Sequence, residues 1–200
     1  VNINPGAVAG GSGGQYFIGH FDGARFLPDA GSLAAPAGLA FLTDPEADPA
    51  ALRQCLWLDW GRDCYASVSF SDAPDDRRII IGWMNNWQYA GSISTYPWRS
   101  AMSVPRDLGL QTVGDDVRLK STPVRELQKL RQSRYKLKST RLVEGTTRLT
   151  NPRAKGDTVE ILAKFRARNA ENFGLRVRTG NGQRTEIGYD TLDHELDVIV

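Results

Sequence analysis

Between Trp57 and Leu108 the chain reads WLDWGRDCYASVSFSDAP (57–74), RRIIIGWMNNWQYAG (77–91) and STYPWRSAMSVPRDL (94–108). All five tryptophans lie here, and three apolar segments recur between polar turns. Cys64 to Phe70 reads as a strand closed by SDAPDD, Arg78 to Met84 as a second strand rich in β-branched residues, and Trp98 to Val104 as a third, stopped by Pro105. Short apolar runs bounded by Asp, Pro, Asn and Gly argue for strands over helices. Three consecutive strands with tight connections predict an antiparallel meander, which with a fourth strand is one blade of a β-propeller.

Working outward, residues 1–14 are rich in Gly and Ala. The GGSGG at 10–14 has neither the Lys nor the following helix of a phosphate-binding loop, so it reads as a flexible turn into a strand. Gln15 to His20 reads as a strand, Phe21-Asp22-Gly23 as a hairpin turn and Ala24 to Leu27 as the return strand. Residues 28–53 read as a long surface loop, with a short helical turn at Pro49 to Gln54. On the other side, Asp107 to Gly114 ends the meander and Arg118 to Thr122 is its outer edge. PVRELQKLRQSRYK (123–136) is the one segment with a helical pattern and is placed as a linker helix. Beyond it, KLKSTRLVEG (136–145), GDTVEILAKFRAR (156–168), NFGLRVRTGNGQRTEIGYD (172–190) and HELDVIV (194–200) alternate as strands, with a hairpin signal at Gly180-Asn181-Gly182. The expected fold class is therefore all-β: the last part of a β-propeller over 1–122, a linker helix over 123–136, and an incomplete β-sandwich over 137–200. No internal repeat of 20–50 residues is demonstrable, a weak argument because blades diverge.

Composition narrows the function. Twenty glycines and ten prolines in 200 residues suit a turn-rich β architecture, and 40% hydrophobic residues support a core. A formal charge of +2 makes no case for nucleic acid or an acidic membrane surface, and no apolar run approaches a membrane span. Two His and two Cys form no metal-ligand cluster, so neither metal nor other cofactor is expected. Cys55 and Cys64 either pair or sit as small buried hydrophobes. Arg99 is expected to pair between blades.

The motifs INPGAVAGGSGGQYFIGHFDG (3–23), DWGRDCYAS (59–67), GWMNNWQYA (82–90), TYPWRSAMSVPRDL (95–108) and TPVREL (122–127) resemble, in that order, the glycoside hydrolase family 32 fructosidases: the levanases, exo-inulinases and invertases. The likeness covers residues 1 to about 135 and continues more loosely through 170–190. It implies a five-bladed propeller followed by a β-sandwich. It also implies retaining hydrolysis of terminal β-fructosyl linkages in levan, inulin or sucrose by two carboxylates. The family's Asp-bearing WMNDPNG-like motif, its Arg-Asp-Pro motif and its Glu-Cys pair have no counterpart here, so no catalytic residue is assigned and the resemblance places the carboxylates upstream of Val1. His20 stands where the family usually carries Asp.

The expected substrate-binding residues are Trp87, Asp63, Trp83, Asn86 and Tyr65. An indole offers a flat apolar face to sugar C–H groups and one N–H donor. Trp87, beyond the strand, suits the wall of a fructose pocket, whereas Trp83 suits blade packing. Asn86, with Asn85, either contacts hydroxyls or sits in a turn. Asp63 either accepts sugar hydroxyls or locks Arg62 or backbone N–H groups at the strand start. Tyr65 and Ser67 share the Asp63 face by strand alternation, with Tyr65 pointing into the funnel or packing between blades. A fructan or sucrose substrate, secretion or cell-surface display, and no nucleic-acid or membrane partner complete the expectation; oligomeric state is not legible. A fructosyltransferase of the same family and a non-catalytic carbohydrate-binding module are the alternatives.

Overall fold

The computed structural model describes residues 1–30, 49–149 and 156–200. The chain divides into two compact units, Val1–Arg131 and Gln132–Val200. Most of the long loop expected over 28–53 lies outside the described residues.

The first unit is built around the isoleucine run. Arg78–Met84 forms β6, with Ile80 buried at its centre. β-Branched residues favour a pleated surface where they pack against cross-strand neighbours. β5 (Tyr65–Ser69) runs antiparallel on one side of β6. On its other side lie β7 (Ala101–Met102) and β8 (Arg106–Val113), which pair with opposite ends of β6. They act as one strand interrupted where Pro105 offers no N–H. Ser103 bridges the gap: its N–H donates to the Gly82 carbonyl (2.8 Å), and its Oγ accepts from the Gly82 N–H (3.0 Å). β9 (Asp116–Pro123) pairs with β8 in full register and closes a four-stranded meander.

This corrects the strand limits read from sequence. Regular pairing in 98–104 is confined to Ala101–Met102, and 107–114 belongs to a full strand that turns tightly through Gly114 (φ +61°). The two-residue turn between Val113 and Asp116 is the signal that marks this hairpin. β5 also carries a bulge. Its register with β6 shifts between Tyr65 and Val68, and Ala66 takes a positive φ of 48°. One extra residue reverses the alternation beyond it. Tyr65 is paired with Trp83, whereas Ser67 lies over Gly82, where a Cβ would stand 2.4 Å from the Ser67 Oγ. The expectation that Tyr65 and Ser67 share a face fails for that reason.

A second part of the unit joins its N-terminal stretch to the segment around Trp57. β1 (Asn2–Ile3) pairs with β2 (Gly13–Gly14), and Gln15 bridges to Trp57. The helical turn α1 (Pro49–Leu52) closes over this pair. Ile3, Ala7, Cys55 and Trp57 form the buried cluster, with Val8 and Leu52 packed on it. The Trp57 indole N–H donates to the Leu52 carbonyl at 2.7 Å, so its one polar atom is paired within the core. Both cysteines are free and buried. A small hairpin, β3 (Gly19–Phe21) with β4 (Phe26–Pro28), turns at Asp22, whose carboxylate accepts from the Ala24 and Arg25 N–H groups.

Where the linker helix was expected, β9 runs to Pro123 and a 3-10 helix covers Arg125–Leu130, with no regular structure from 131 to 136. A short segment held at one end by side chains suits the tighter helix. Arg77 supplies that hold. Its guanidinium makes a bidentate pair with Asp107 (2.8 and 2.7 Å) and reaches Glu126 (2.7 and 3.0 Å).

In the second unit, β10 (Asn172–Gly180), β11 (Gln183–Asp190) and β12 (Leu196–Ile199) form an antiparallel sheet in that order. The β10–β11 turn is made by Asn181 (φ +50°) and Gly182 (φ +79°), the two-residue turn its sequence predicts. Phe165 and Tyr189 pack on Phe173, at 5.0 and 5.6 Å between ring centroids. The segments 136–145 and 156–168, expected as strands, form no ladder among the described residues. Alternation makes a segment competent for a strand, but only a paired neighbour makes it one.

Candidate functional site

The end of β6 carries the expected site residues onto a loop whose shape is fixed by Asn86. Asn86 is completely buried. Its Nδ2 donates to the carbonyls of Gly10 (3.0 Å), Ser12 (3.4 Å) and Arg62 (2.9 Å). Its Oδ1 accepts from the N–H of Ser12 (3.2 Å) and Gln88 (3.0 Å). One amide thus joins three segments far apart in sequence. Gly11 permits the approach: its φ is +65°, and a Cβ there would lie 2.0 Å from the Asn86 Oδ1. Ser12, also fully buried, donates to Asn4 Oδ1 (3.1 Å) and accepts from the Trp87 N–H (3.0 Å). So GGSGG is not a flexible turn. Its small residues let backbone and amide meet.

Asn86, expected either to contact hydroxyls or to sit in a turn, has both ends of its amide taken by the protein and holds the loop in place. Asn85 is buried as well. Its Oδ1 accepts from the Asn86 N–H at 2.8 Å, while its Nδ2 has no hydrogen-bond partner among the described residues.

Three aromatic residues line up beside this knot. The Tyr65 and Trp83 rings are 6.5 Å apart and the Trp83 and Trp87 rings 5.1 Å apart, each pair tilted by 59°. Trp83 is partly buried and its indole N–H is held by Ser100 Oγ. Trp87 is 59% exposed, with its backbone N–H fixed by Ser12. The structure therefore brings Tyr65, Trp83 and Trp87 together, with only Trp87 presenting much of its ring outward.

Asp63 is exposed and accepts a hydrogen bond from the Tyr89 phenol. Among the described residues its hydrogen-bond donor is this phenol, not Arg62 or a backbone N–H. Arg62 instead donates to Gln88 Oε1 (2.7 Å) and lies over the Tyr89 ring, 5.5 Å from its centroid. Burial first, and then the Asp63 hydrogen bond, push the Tyr89 phenol up to about 12. It stays a donor through the physiological range and fixes one carboxylate oxygen of Asp63. Tyr89, Gln88, Ser12 and Ser100 were not picked out from the sequence. Their roles depend on contacts between distant segments, and only the smallness of residues 10–14 hinted at a close approach.

Among the described residues no group of three or more His, Cys, Asp or Glu could hold a metal ion, and no helix is long and apolar enough to cross a membrane.

A propeller-type meander with an aromatic corner, followed by a second antiparallel unit, defines a protein of the all-β, propeller-plus-sandwich class. Residues 1–123 match the Glycosyl hydrolases family 32 N-terminal domain, and residues 126–198 match the Glycosyl hydrolases family 32 C terminal. The chain belongs to glycoside hydrolase family 32. It is 41% identical to a levanase of Bacillus subtilis over 99% of its own length and 27% of that protein. It is 35% identical to an extracellular exo-inulinase of Aspergillus awamori over 97% of its length and 34% of the relative. Among solved structures, the exo-inulinase of Aspergillus awamori matches with a TM-score of 0.75 at 29% identity, over 98% of this chain and 36% of that one. The β-fructofuranosidase of Schwanniomyces occidentalis, complexed with fructosyl-erythritol, matches with a TM-score of 0.60 at 26% identity, over 98% and 37%. The chain thus spans about a quarter to just over a third of the length of these relatives.

Proposed function

We propose that these 200 residues form part of the substrate site of a fructan hydrolase, a β-fructofuranosidase that releases fructose from terminal β-fructosyl linkages of levan, inulin or sucrose with retention of configuration. Family membership and relatives named levanase and exo-inulinase support the reading. The observation that carries it is Trp87, an exposed indole packed at a tilt on Trp83, on a loop whose backbone is anchored by the Trp87 main-chain N–H to a buried serine. Such a ring keeps its face toward a ligand without losing side-chain freedom on binding.

In this reading the Trp87 face takes the C–H side of a fructosyl ring. That face is negative at its centre, which suits a ring gaining oxocarbenium character in the transition state. Asp63, oriented by Tyr89, accepts a sugar hydroxyl at the edge. Trp83 and Tyr65 brace the wall, and Asn86 positions it. The family's carboxylate motifs have no match within these residues, so in this reading the nucleophile and general acid/base are contributed from outside them. The propeller part runs over 1–122, the linker over 123–136 and the sandwich over 137–200. Secretion or surface display is inferred from relatives described as extracellular.

The test is product analysis by the full-length protein on levan, inulin and sucrose. Free fructose, formed first as the β-anomer, is expected. Oligofructans or cyclic difructose in its place would assign a transferase, and no conversion of any substrate would overturn the reading.

A further inference from the structure

The loop after the aromatic corner displays two more rings. Tyr96 is 90% exposed and Trp98 is 66% exposed. Neither belongs to the substrate wall described above, yet both sit on a loop that is tied down. The Arg99 Nη1 donates to the carbonyls of Ile93 (3.1 Å) and Thr95. The Ser100 N–H donates to Thr95 Oγ1 (3.0 Å), and Ser100 Oγ donates to the Arg99 carbonyl (2.6 Å). Arg99, expected to pair between blades, therefore closes its own loop. A loop so cross-braced keeps both rings exposed among the described residues, and exposed aromatics mark interaction sites.

Two features name the occupant. Tyr and Trp combine an apolar face with a hydroxyl or N–H donor, and the residues between and beside them are Ser94, Thr95, Pro97 and Arg99, polar or small. That mixture suits a sugar ring better than an apolar protein surface. The loop is also continuous with the fructosyl wall. Ser100 accepts the Trp83 indole N–H, and Trp83 packs on Trp87. Trp98 is only two residues from Ser100, so their Cα atoms are at most about 7 Å apart.

We propose that Tyr96 and Trp98 form an accessory platform that binds further fructosyl units of a polymeric substrate, beyond the unit held at Trp87. The proposal rests on the fructan reading above. The platform engages levan or inulin and has nothing to engage in sucrose.

The test measures kcat/KM of the full-length protein on levan, inulin and sucrose, for wild type and for the Tyr96→Ala/Trp98→Ala variant. Loss of two stacked rings is expected to lower the polymer-to-sucrose ratio of kcat/KM about tenfold. A Tyr96→Phe/Trp98→Phe variant, which keeps both faces, is expected to hold that ratio within about twofold. A ratio unchanged in the alanine variant, or an equal fall on all three substrates, would overturn the proposal. So would a dimer of the wild type that the alanine variant abolishes while the ratio stays constant, because the loop would then serve a second copy. If the double variant does not fold, the two single alanine variants are read by the same ratio. Should the wild type release no fructose at all, the fructan reading has failed on its own. Retardation in levan-containing gels then decides the platform separately: retardation lost in the variant supports it, and equal retardation overturns it.

Discussion

Asn86 shows how one side chain can set a site without touching what binds there. Its amide carbonyl faces two N–H groups and its amide nitrogen faces three carbonyls, with Asn86 itself and Ser12 fully buried. Replacing it by alanine strands several buried groups, at a cost on the order of 3 kcal/mol. Asn86→Asp is expected to be worse than Asn86→Ala, although it is closer in shape, because it turns a carboxylate oxygen toward those carbonyls. Urea denaturation of the full-length protein checks the order; an aspartate variant as stable as wild type would contradict the assignment. The role was half legible in the sequence. Asn85-Asn86 stands out after an isoleucine strand as a turn or a sugar contact, but nothing local says that Gly10, Ser12 and Arg62 converge on it. For Trp87 what was legible is its place beyond the strand end. For Asp63 the partner, Tyr89, is 26 residues away.

At the scale of elements, β6 was legible to its residue limits because three β-branched residues between charged and Asn boundaries leave little choice. β7 and β8 were not. Pro105 reads as an end in sequence, whereas in the sheet it is a gap that Ser103 spans with one backbone and one side-chain hydrogen bond. The bulge at Ala66 was invisible for a similar reason, since it belongs to a pair of strands. The start of β6, β8 and the 3-10 helix are joined by Arg77. Its hydrogen bonds come first among the causes that hold the Glu126 carboxyl at about 2, below its ordinary 4.5. A carboxylate with a lowered folded pKa stabilises the fold fully above the ordinary value and loses that contribution as pH falls toward the folded one. The Glu126→Gln variant should therefore melt below wild type at neutral pH, with the gap in Tm closing as the pH is lowered from about 5 toward 2. A gap that does not change with pH would mean that the ion pair is not what fastens the 3-10 helix.

At the scale of the molecule, the two units differ in how much of their patterning is realised. The first converts its central apolar segments into a complete four-stranded meander and buries a small cluster around Trp57. The second converts only residues from 172 onward into sheet, leaving two alternating segments without a ladder among the described residues. Fold class was legible because period-two alternation and turn chemistry recur along the whole chain. The corner that joins residues 10–12, 62–63 and 83–89 was not, because it is made by tertiary contacts that no window of sequence contains. We propose that this corner, through Trp87, forms a wall of the fructosyl site. The most direct measurement is kcat/KM for fructose release from levan by the full-length protein and its Trp87→Ala variant, with Tm followed alongside. Losing an aromatic face worth about 2 to 3 kcal/mol predicts a fall of roughly 30- to 150-fold with Tm little changed, since the ring is largely outside the core. Equal kcat/KM in the two proteins would contradict the account.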